Sequence, residues 1–484
     1  MPLSDYDIII GLEVHAELKT ESKIFCGCST EFGGLPNSHV CPVCLGLPGA
    51  LPVLNEQALD YAIMAGLALN CTIAPYSKFD RKQYFYPDSP KAYQISQYDL
   101  PFCTNGWIEI PSSEEKGKTK KARIIRVHLE EEAGKTVHSG SGILNSQFAL
   151  EDYNRCGIPL IEIVGAPDLR SPEEARYYLE RLKAILQYTG VSDCKMEEGS
   201  LRCDANISLR RKGTTEFGVL AEIKNMNSFK AVRKALSYEE KRQISILNRG
   251  GKIQQETRLW NDKLQKTEIM RTKEEAHDYR YFPEPDLLPV EIDDEFINKV
   301  KEEIGQLPDD RKERIKLKYG LPIYDIDVLM SEKIIIDYFE ECSKIFKNYK
   351  LISNWIMGEI MSLLKGKEIK FLFEKIPPVK FIDLLKMVEE GKITSTVGKN
   401  VLKEILKTGK FPSEIVKEKG LLQIGDEEFI ENIVKQVIDE NQKAVDDYKK
   451  GKEKVMGFLI GQVMKKTKGK VNSEVVEKTI KKLI

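Results

Sequence analysis

No apolar run in this 484-residue chain approaches the ~18 residues needed to cross a bilayer, which excludes a spanning helix. The start, Met1-Pro2-Leu3-Ser4-Asp5, has neither a basic region nor an apolar one, so a secretory signal is not expected and a cytoplasmic protein is. There is no GxxxxGK[ST] loop, so any ATP site is not of the P-loop type, and no GxGxxG fingerprint follows a strand. A Ser/Lys-rich amidase segment of the Gly-Gly-Ser-Ser-Gly kind is also missing. Net charge is nearly absent: 74 Lys and Arg stand against 75 Asp and Glu, giving -1, so any surface for nucleic acid must be a local patch. Internal repeats and low-complexity linkers are lacking. Most of the 10 cysteines are isolated, apart from one cluster near the N-terminus. In a long chain without a signal peptide such a cluster reads as metal binding before disulfide.

What is present is an ordinary globular composition, 41% hydrophobic and 31% charged, at a length that points to roughly three domains on the usual ~100–200 residues each. Composition breaks between Asp286 and Asp294. Before it lie Gly, Pro, Tyr and short alternating segments; after it, Lys, Glu, Ile and Leu at helical spacing. The pattern predicts α+β: an antiparallel sheet with helices, then an almost wholly helical part. Ile8 to Leu18 reads as a strand with Leu12, Val14, Ala16 and Leu18 on one face and Glu13, His15 and Glu17 on the other. Leu201 to Leu209 repeats this, with Arg202, Asp204, Asn206 and Ser208 outward. Ile124 to Leu129, Ile158 to Val164 and Val219 to Ile223 are further strands. One helix is bracketed by a Ser171 cap, Pro172 in the first turn, Glu174 closing a capping box, and Gly190. In the second part, stripes of Phe429, Ile430, Ile433, Val434, Val437 and Ile438, of Val455, Phe458, Leu459, Val463 and Met464, and of Val476, Ile480 and Leu483 mark amphipathic helices. Lysines crowd the segment from 449 to 482.

Several constellations carry chemistry. Cys26-x-Cys28 and Cys41-x-x-Cys44 are two close pairs able to set four thiolates tetrahedrally around zinc, in a closed and therefore structural site. Against that stand four reduced buried cysteines or an iron–sulfur site. Glu13 and His15, two apart on one strand face, suit a divalent cation, although a solvated polar face has the same pattern. Glu162 interrupts the apolar run Ile158 to Val164, where an acid is costly to bury without a cation beside it. The run His128-Leu129-Glu130-Glu131-Glu132-Ala133-Gly134-Lys135 ends a strand in three acids and a glycine; spacing does not choose among them. The segment from Lys78 to Asp88 interleaves aromatics with basic residues, as does the one from Asp278 to Asp286. Both are able to stack bases and bind phosphates, or simply to pin a loop to the core, and Lys82 is placed to meet a nucleotide phosphate.

From Gly11-Leu12-Glu13-Val14-His15-Ala16-Glu17-Leu18 onward the chain resembles the B subunits of glutamine-dependent glutamyl/aspartyl-tRNA amidotransferases. The likeness continues through Lys78-Phe79-Asp80-Arg81-Lys82, Pro90-Lys91-Ala92-Tyr93-Gln94-Ile95-Ser96-Gln97, Ala133-Gly134-Lys135, Pro159-Leu160-Ile161-Glu162-Ile163, Lys195 to Asn206, Asp278 to Asp286 and Lys454 to Gln462. It covers essentially the whole chain. It implies a cradle similar to the glutamine synthetase catalytic fold over 1–293, a helical domain over 294–404 and a helical tRNA-binding tail over 405–484. It implies ATP-dependent phosphorylation of the carboxylate of Glu-tRNA(Gln) or Asp-tRNA(Asn), followed by amidation. Magnesium ligands would fall on Glu13, His15, Glu131 and Glu162, with Lys82 beside the nucleotide. Cys26, Cys28, Cys41 and Cys44 match the zinc-bearing form, and Lys454, Lys465, Lys466 and Lys468 would meet tRNA phosphates. A separate amidase, the A subunit, would supply ammonia, and a small C subunit would clasp the pair. This chain has Glu132 where the family pattern resembles Asp. It leaves no room for the inserted domain of the archaeal relative, so the bacterial type fits. Two other classes stand beside this reading: a non-catalytic tRNA scaffold, and a free-standing ligase acting on a small acid.

Overall fold

The computed structural model describes residues 5–138, 149–272, 278–363, 373–422, 427–449, 451–452, 454–467, 469 and 471–484. They fall into two compact units that meet between Arg311 and Lys312. The first is mixed α/β and the second helical, giving the expected α+β class. Among the described residues no helix is long and apolar enough to cross a membrane.

Nine strands make the main sheet of the first unit. In chain order they are β1 (Tyr6–Glu17), β2 (Thr72–Ile73), β3 (Cys103–Pro111), β4 (Thr119–Glu131), β5 (Pro159–Gly165), β6 (Leu201–Arg211), β7 (Ala221–Lys224), β8 (Glu256–Asn261) and β9 (Lys266–Thr272). In space they run β9-β8-β7-β6-β1-β5-β4-β3-β2, so β1 is central. Every neighbouring pair is antiparallel except β7 and β8. The expected antiparallel sheet thus carries one parallel pair. Parallel neighbours need a long crossover, and the helix Phe229–Asn248 lies between β7 and β8 in the chain.

Three helices, α1 (Glu56–Ala68), α2 (Pro172–Thr189) and α3 (Phe229–Asn248), share a core with one face of the sheet. Leu12, Val14 and Ala16 of β1, Ile161 and Ile163 of β5, and Cys203, Ala205 and Ile207 of β6 point into it. At about 25 cal/mol per Å2 of apolar surface, burial on this face is the main driving force for the sheet. Strand alternation then sends Glu13, His15, Glu162, Arg202 and Asp204 to the opposite face.

The start of α2 departs in detail from its expected capping. The Ser171 hydroxyl accepts from the Glu174 amide at 3.1 Å, as foreseen. Glu174, however, does not return to the Ser171 amide. Its carboxylate accepts from the Arg170 amide at 2.8 Å and the Ser113 amide at 2.8 Å, and pairs with Lys120 at 2.6 Å. A fully buried carboxylate takes the partners that satisfy its charge best, and a lysine plus two amides outweigh a single capping bond. Helix α4 (Asp294–Glu303) packs on α1 and buries Val300 in the same core.

In the second unit, Lys333–Ile345 packs against Pro378–Glu389, which in turn meets Ser395–Thr408. The last four helices, Glu427–Glu440, Gln442–Lys449, Lys454–Lys466 and Ser473–Leu483, enclose their own apolar cluster around Ile430, Val434, Leu459, Val463, Val476 and Ile480. Phe429 and Phe458, expected within those stripes, instead stay exposed.

Candidate active site and cysteine cluster

The register of four central strands builds the site. Arg202 of β6 lies opposite His15 of β1, His15 opposite Glu162 of β5, and Glu162 opposite His128 of β4. Directly paired residues on one face stand ~4.5–5.5 Å apart at Cβ, so the four side chains form a row across the open face. The His15 Nε2 lies 3.4 Å from Glu162 Oε2 and 3.9 Å from Glu130 Oε1. His128 Nε2 lies 3.4 Å from Glu162 Oε2 and 3.6 Å from Glu130 Oε2. Lys82 Nζ is 3.8 Å from Glu130 Oε2, and Ser96 Oγ donates to the same oxygen at 2.9 Å.

His15, Glu130 and Glu162 each offer a ligand atom within 4.8 Å of the others. One imidazole and two carboxylates fit a divalent cation. Glu131 does not join them. Counting along β4, 128 and 130 share a face and 131 points to the other. There its carboxylate accepts from Lys91 Nζ at 2.5 Å and from the Ile95 amide at 2.7 Å. Strand parity thus places Glu130, and not Glu131, beside His15 and Glu162. Glu13 lines the same cleft without entering the trio, and Asn206 Nδ2 donates to its Oε1 at 3.0 Å.

The electrostatics divide these acids. Burial would raise Glu162, but the hydrogen bond from His15 and the nearby imidazoles outweigh it and bring it down to about 2. Glu130 is likewise held below the usual carboxylate range against its burial, by Lys82 first. His15 is raised: burial acts downward, and the bond and charge of Glu162, with Glu130, more than offset it. Lys82 is raised mainly by Glu130. Glu13 goes the other way from its fellow acids. Burial, then Glu162, Asp204 and Glu222, push it up.

The cleft holds about 510 Å3 and is walled by Lys82, Tyr98, Arg126, Lys224, Tyr279 and Tyr281 as well as the acids. Tyr98 and Tyr281 stack with centroids 4.3 Å apart. Both aromatic segments turn out to be mixed in role. Phe79 is buried in edge contacts with Phe25 and Phe102, while Tyr84 and Tyr86 stack at 4.6 Å and Phe85 is exposed. In the other segment Tyr279 and Tyr281 face the cleft, and Glu284 is buried against Arg81 at 2.6 Å. His128, Glu130 and Tyr281 were not singled out as site residues from sequence. Alternation counted back from Val127 and Leu129 was the available signal for the first two.

Away from the cleft, the Sγ atoms of Cys26, Cys28, Cys41 and Cys44 all lie within 4.8 Å of one another, those of Cys41 and Cys44 at 3.9 Å. Zinc–sulfur bonds of ~2.3 Å in a tetrahedron set sulfurs ~3.8 Å apart, so a cluster of four sulfurs this close is compatible with zinc. The Cys41 amide points at Cys44 Sγ at 3.2 Å. The Cys44 thiol is held low, chiefly by the hydrogen bond from Cys26. In the tail, Lys454, Lys465 and Lys466 are exposed, and Lys466 pairs with Glu440 at 2.5 Å; Lys468 lies outside the described residues.

The comparisons with known proteins agree with one another. A family described as the GatB/GatE catalytic domain matches residues 8–298, and one described as the GatB domain matches residues 337–484. The chain is 57% identical over 481 residues to the B subunit of an aspartyl/glutamyl-tRNA(Asn/Gln) amidotransferase from Carboxydothermus hydrogenoformans, covering 99% of each. It is 57% identical over 478 residues to the protein of the same name from Caldanaerobacter subterraneus subsp. tengcongensis, covering 98% of each. With the one from Thermodesulfovibrio yellowstonii it shares 52% over 481 residues, 99% of each chain.

Proposed function

The chain belongs to the family of amidotransferase B subunits, and from that premise we propose that its cleft activates the side-chain carboxylate of Glu-tRNA(Gln) or Asp-tRNA(Asn) with ATP and then converts it to the amide. It is one component of a ligase that forms a C–N bond with glutamine as nitrogen donor. The observation that carries the reading is the row of imidazoles and carboxylates His15, Glu162, His128 and Glu130 across the open sheet face, with the cation Lys82 at its edge.

A carboxylate is a poor acyl donor because its leaving group would be oxide. Attack of the substrate carboxylate on the γ-phosphorus of ATP breaks the bond to the β-bridging oxygen, releases ADP and forms an acyl phosphate. Ammonia then adds to the acyl carbon, the C–O bond to phosphate breaks, and the nitrogen sheds a proton. His15, Glu130 and Glu162 would hold magnesium, which supplies charge neutralisation for the phosphate oxygens. Lys82, kept protonated by Glu130, faces the phosphates as a fixed positive charge. Glu13, raised by burial and then by its acidic neighbours, accepts the proton that the attacking nitrogen loses. The Tyr98–Tyr281 stack walls the cleft and limits access of water to the acyl phosphate. Ammonia comes from a partner amidase chain, and a small third chain completes the assembly. The exposed tail lysines Lys454, Lys465 and Lys466, together with Lys468, meet tRNA phosphates without reading sequence. The four cysteines hold a structural zinc.

The test is ADP formation by the chain assembled with its partners, with and without Glu-tRNA(Gln), in wild type, Glu130→Gln and Glu131→Gln. Formation that needs the charged tRNA and falls more than about 100-fold in Glu130→Gln places carboxylate activation in this cleft; removing one interaction worth ~2.7–4 kcal/mol has that effect. Activity indifferent to Glu130→Gln sinks the assignment and leaves the scaffold reading. ADP formation driven by free glutamate without tRNA supports the small-acid ligase.

A further inference from the structure

Lys23 is one of the largest fully buried side chains, with none of its surface exposed. Its Nζ donates to the His39 carbonyl at 2.7 Å and the Tyr153 carbonyl at 3.4 Å, and lies 3.7 Å from Cys44 Sγ. Among the described residues no carboxylate pairs with it. Two neutral carbonyls do not balance an ammonium removed from water; a buried cation requires an anion. The anion within reach is the Cys44 thiolate. Four thiolates around one dication leave a net charge of minus two, and a buried ammonium brings that to minus one.

The same side chain sits where two segments are sewn together. The Ile24 amide donates to the Gly157 carbonyl at 2.9 Å, and Cys156 Sγ donates to the Cys44 carbonyl at 3.4 Å. The His39 amide donates to Asn154 Oδ1 at 2.8 Å, and the Tyr153 amide to Asn37 Oδ1 at 2.8 Å. The Gly157 amide donates to the Glu132 carbonyl at 2.8 Å, and two residues later β5 begins and carries Glu162. We propose that Lys23 is the counter-ion of the four-cysteine zinc site and the clasp that ties it to residues 153–157, the segment leading into β5. This rests on the zinc reading above. It assigns to the zinc a task beyond local stability: holding the entry to a site strand in place.

The experiment uses the full chain assembled with its partners, as wild type, Lys23→Met and Lys23→Gln. Zinc content is measured by elemental analysis, zinc loss by its transfer rate to a chromogenic chelator, and backbone order at 153–157 by amide hydrogen exchange. Outer partners of metal ligands typically contribute ~10–100-fold in metal affinity. Both variants are expected to release zinc at least about 10-fold faster than wild type, and exchange at 153–157 is expected to quicken in them and in zinc-stripped wild type. Lys23→Gln keeps donors for the carbonyls without the charge; wild-type zinc retention in it overturns the counter-ion role. Unchanged exchange at 153–157 after zinc removal overturns the clasp. If Lys23→Met does not fold, Lys23→Gln carries the test. Wild type that neither contains zinc nor takes it up when supplied removes the zinc reading itself, and the proposal falls with it.

Discussion

At the scale of single residues, adjacency in sequence and adjacency in space part company on β4. Glu130, Glu131 and Glu132 are consecutive, yet Glu130 joins the histidines, Glu131 pairs with Lys91 on the other face, and Glu132 pairs with Arg202. One step along a strand reverses the face, so three identical side chains have three partners. Glu174 supplies a residue-scale prediction of a different kind. Burial would raise its carboxyl, but Lys120 and the Ser113 and Arg170 bonds hold it below its ordinary value. A depressed carboxylate contributes stability that is present above the unfolded value of about 4.3 and is lost as pH falls through the lower folded value. Glu174→Gln is expected to destabilise by about 3 kcal/mol at neutral pH, as when one partner of a buried pair is removed. The gap between variant and wild type in urea midpoint should narrow below about pH 4. A gap that stays constant with pH would show that the charge of Glu174 is not what stabilises the start of α2.

At the scale of elements, how closely a helix meets the sheet decides which residues it tolerates. Gly66 is buried in α1, and a Cβ there would overlap Cys103 Sγ and come to 3.0 Å from Cys103 Cβ. Alanine gains about 1 kcal/mol over glycine in a helix interior. Overpacking costs about 1–3 kcal/mol where the neighbour is unable to yield, and Cys103 is fully buried on β3. Gly66→Ala is therefore expected to lower stability by about 1 kcal/mol on balance, and Cys103→Ala in the same chain to recover part of it. Thermal melts of the two variants check this; a more stable Gly66→Ala would mean that α1 shifts on the sheet. A helix also explains the one parallel pairing. Residue spacing identifies the strand that becomes β7, whereas α3 was not read from the sequence and the side on which β8 returns is set by how α3 packs.

At the scale of the whole molecule, near-zero net charge hides a sharp local division. Acids gather in the cleft and lysines in the last helices. If the tail meets tRNA through phosphates alone, replacing Lys454, Lys465, Lys466 and Lys468 together with Gln should lower the slope of log affinity against log salt by up to about 3–4, near 0.7–0.9 per contact. The loss should be the same for charged and uncharged tRNA. A change in affinity without a change in slope would show that these lysines do not touch phosphate.

What the sequence alone determined is whatever depends on local periodicity or on the spacing of a few residues. The polar face of β1, the cap and glycine stop of α2, the amphipathic tail helices and the four-cysteine cluster were all legible, because each is specified within one or two turns or one strand. The resemblance along the whole chain likewise led to the family that the comparisons show. What only the tertiary structure decided is which outward residues of separate strands meet. That depends on register among β1, β4, β5 and β6, and register is set by the summed burial of the opposite, apolar face together with the offset between Val164 and Gly165 in the pairing of β5 with β4. The row His15, Glu162 and His128 with Glu130, and the placing of Lys23 against Cys44, follow from contacts between residues up to 147 apart in the chain, such as His15 and Glu162, which no local pattern encodes.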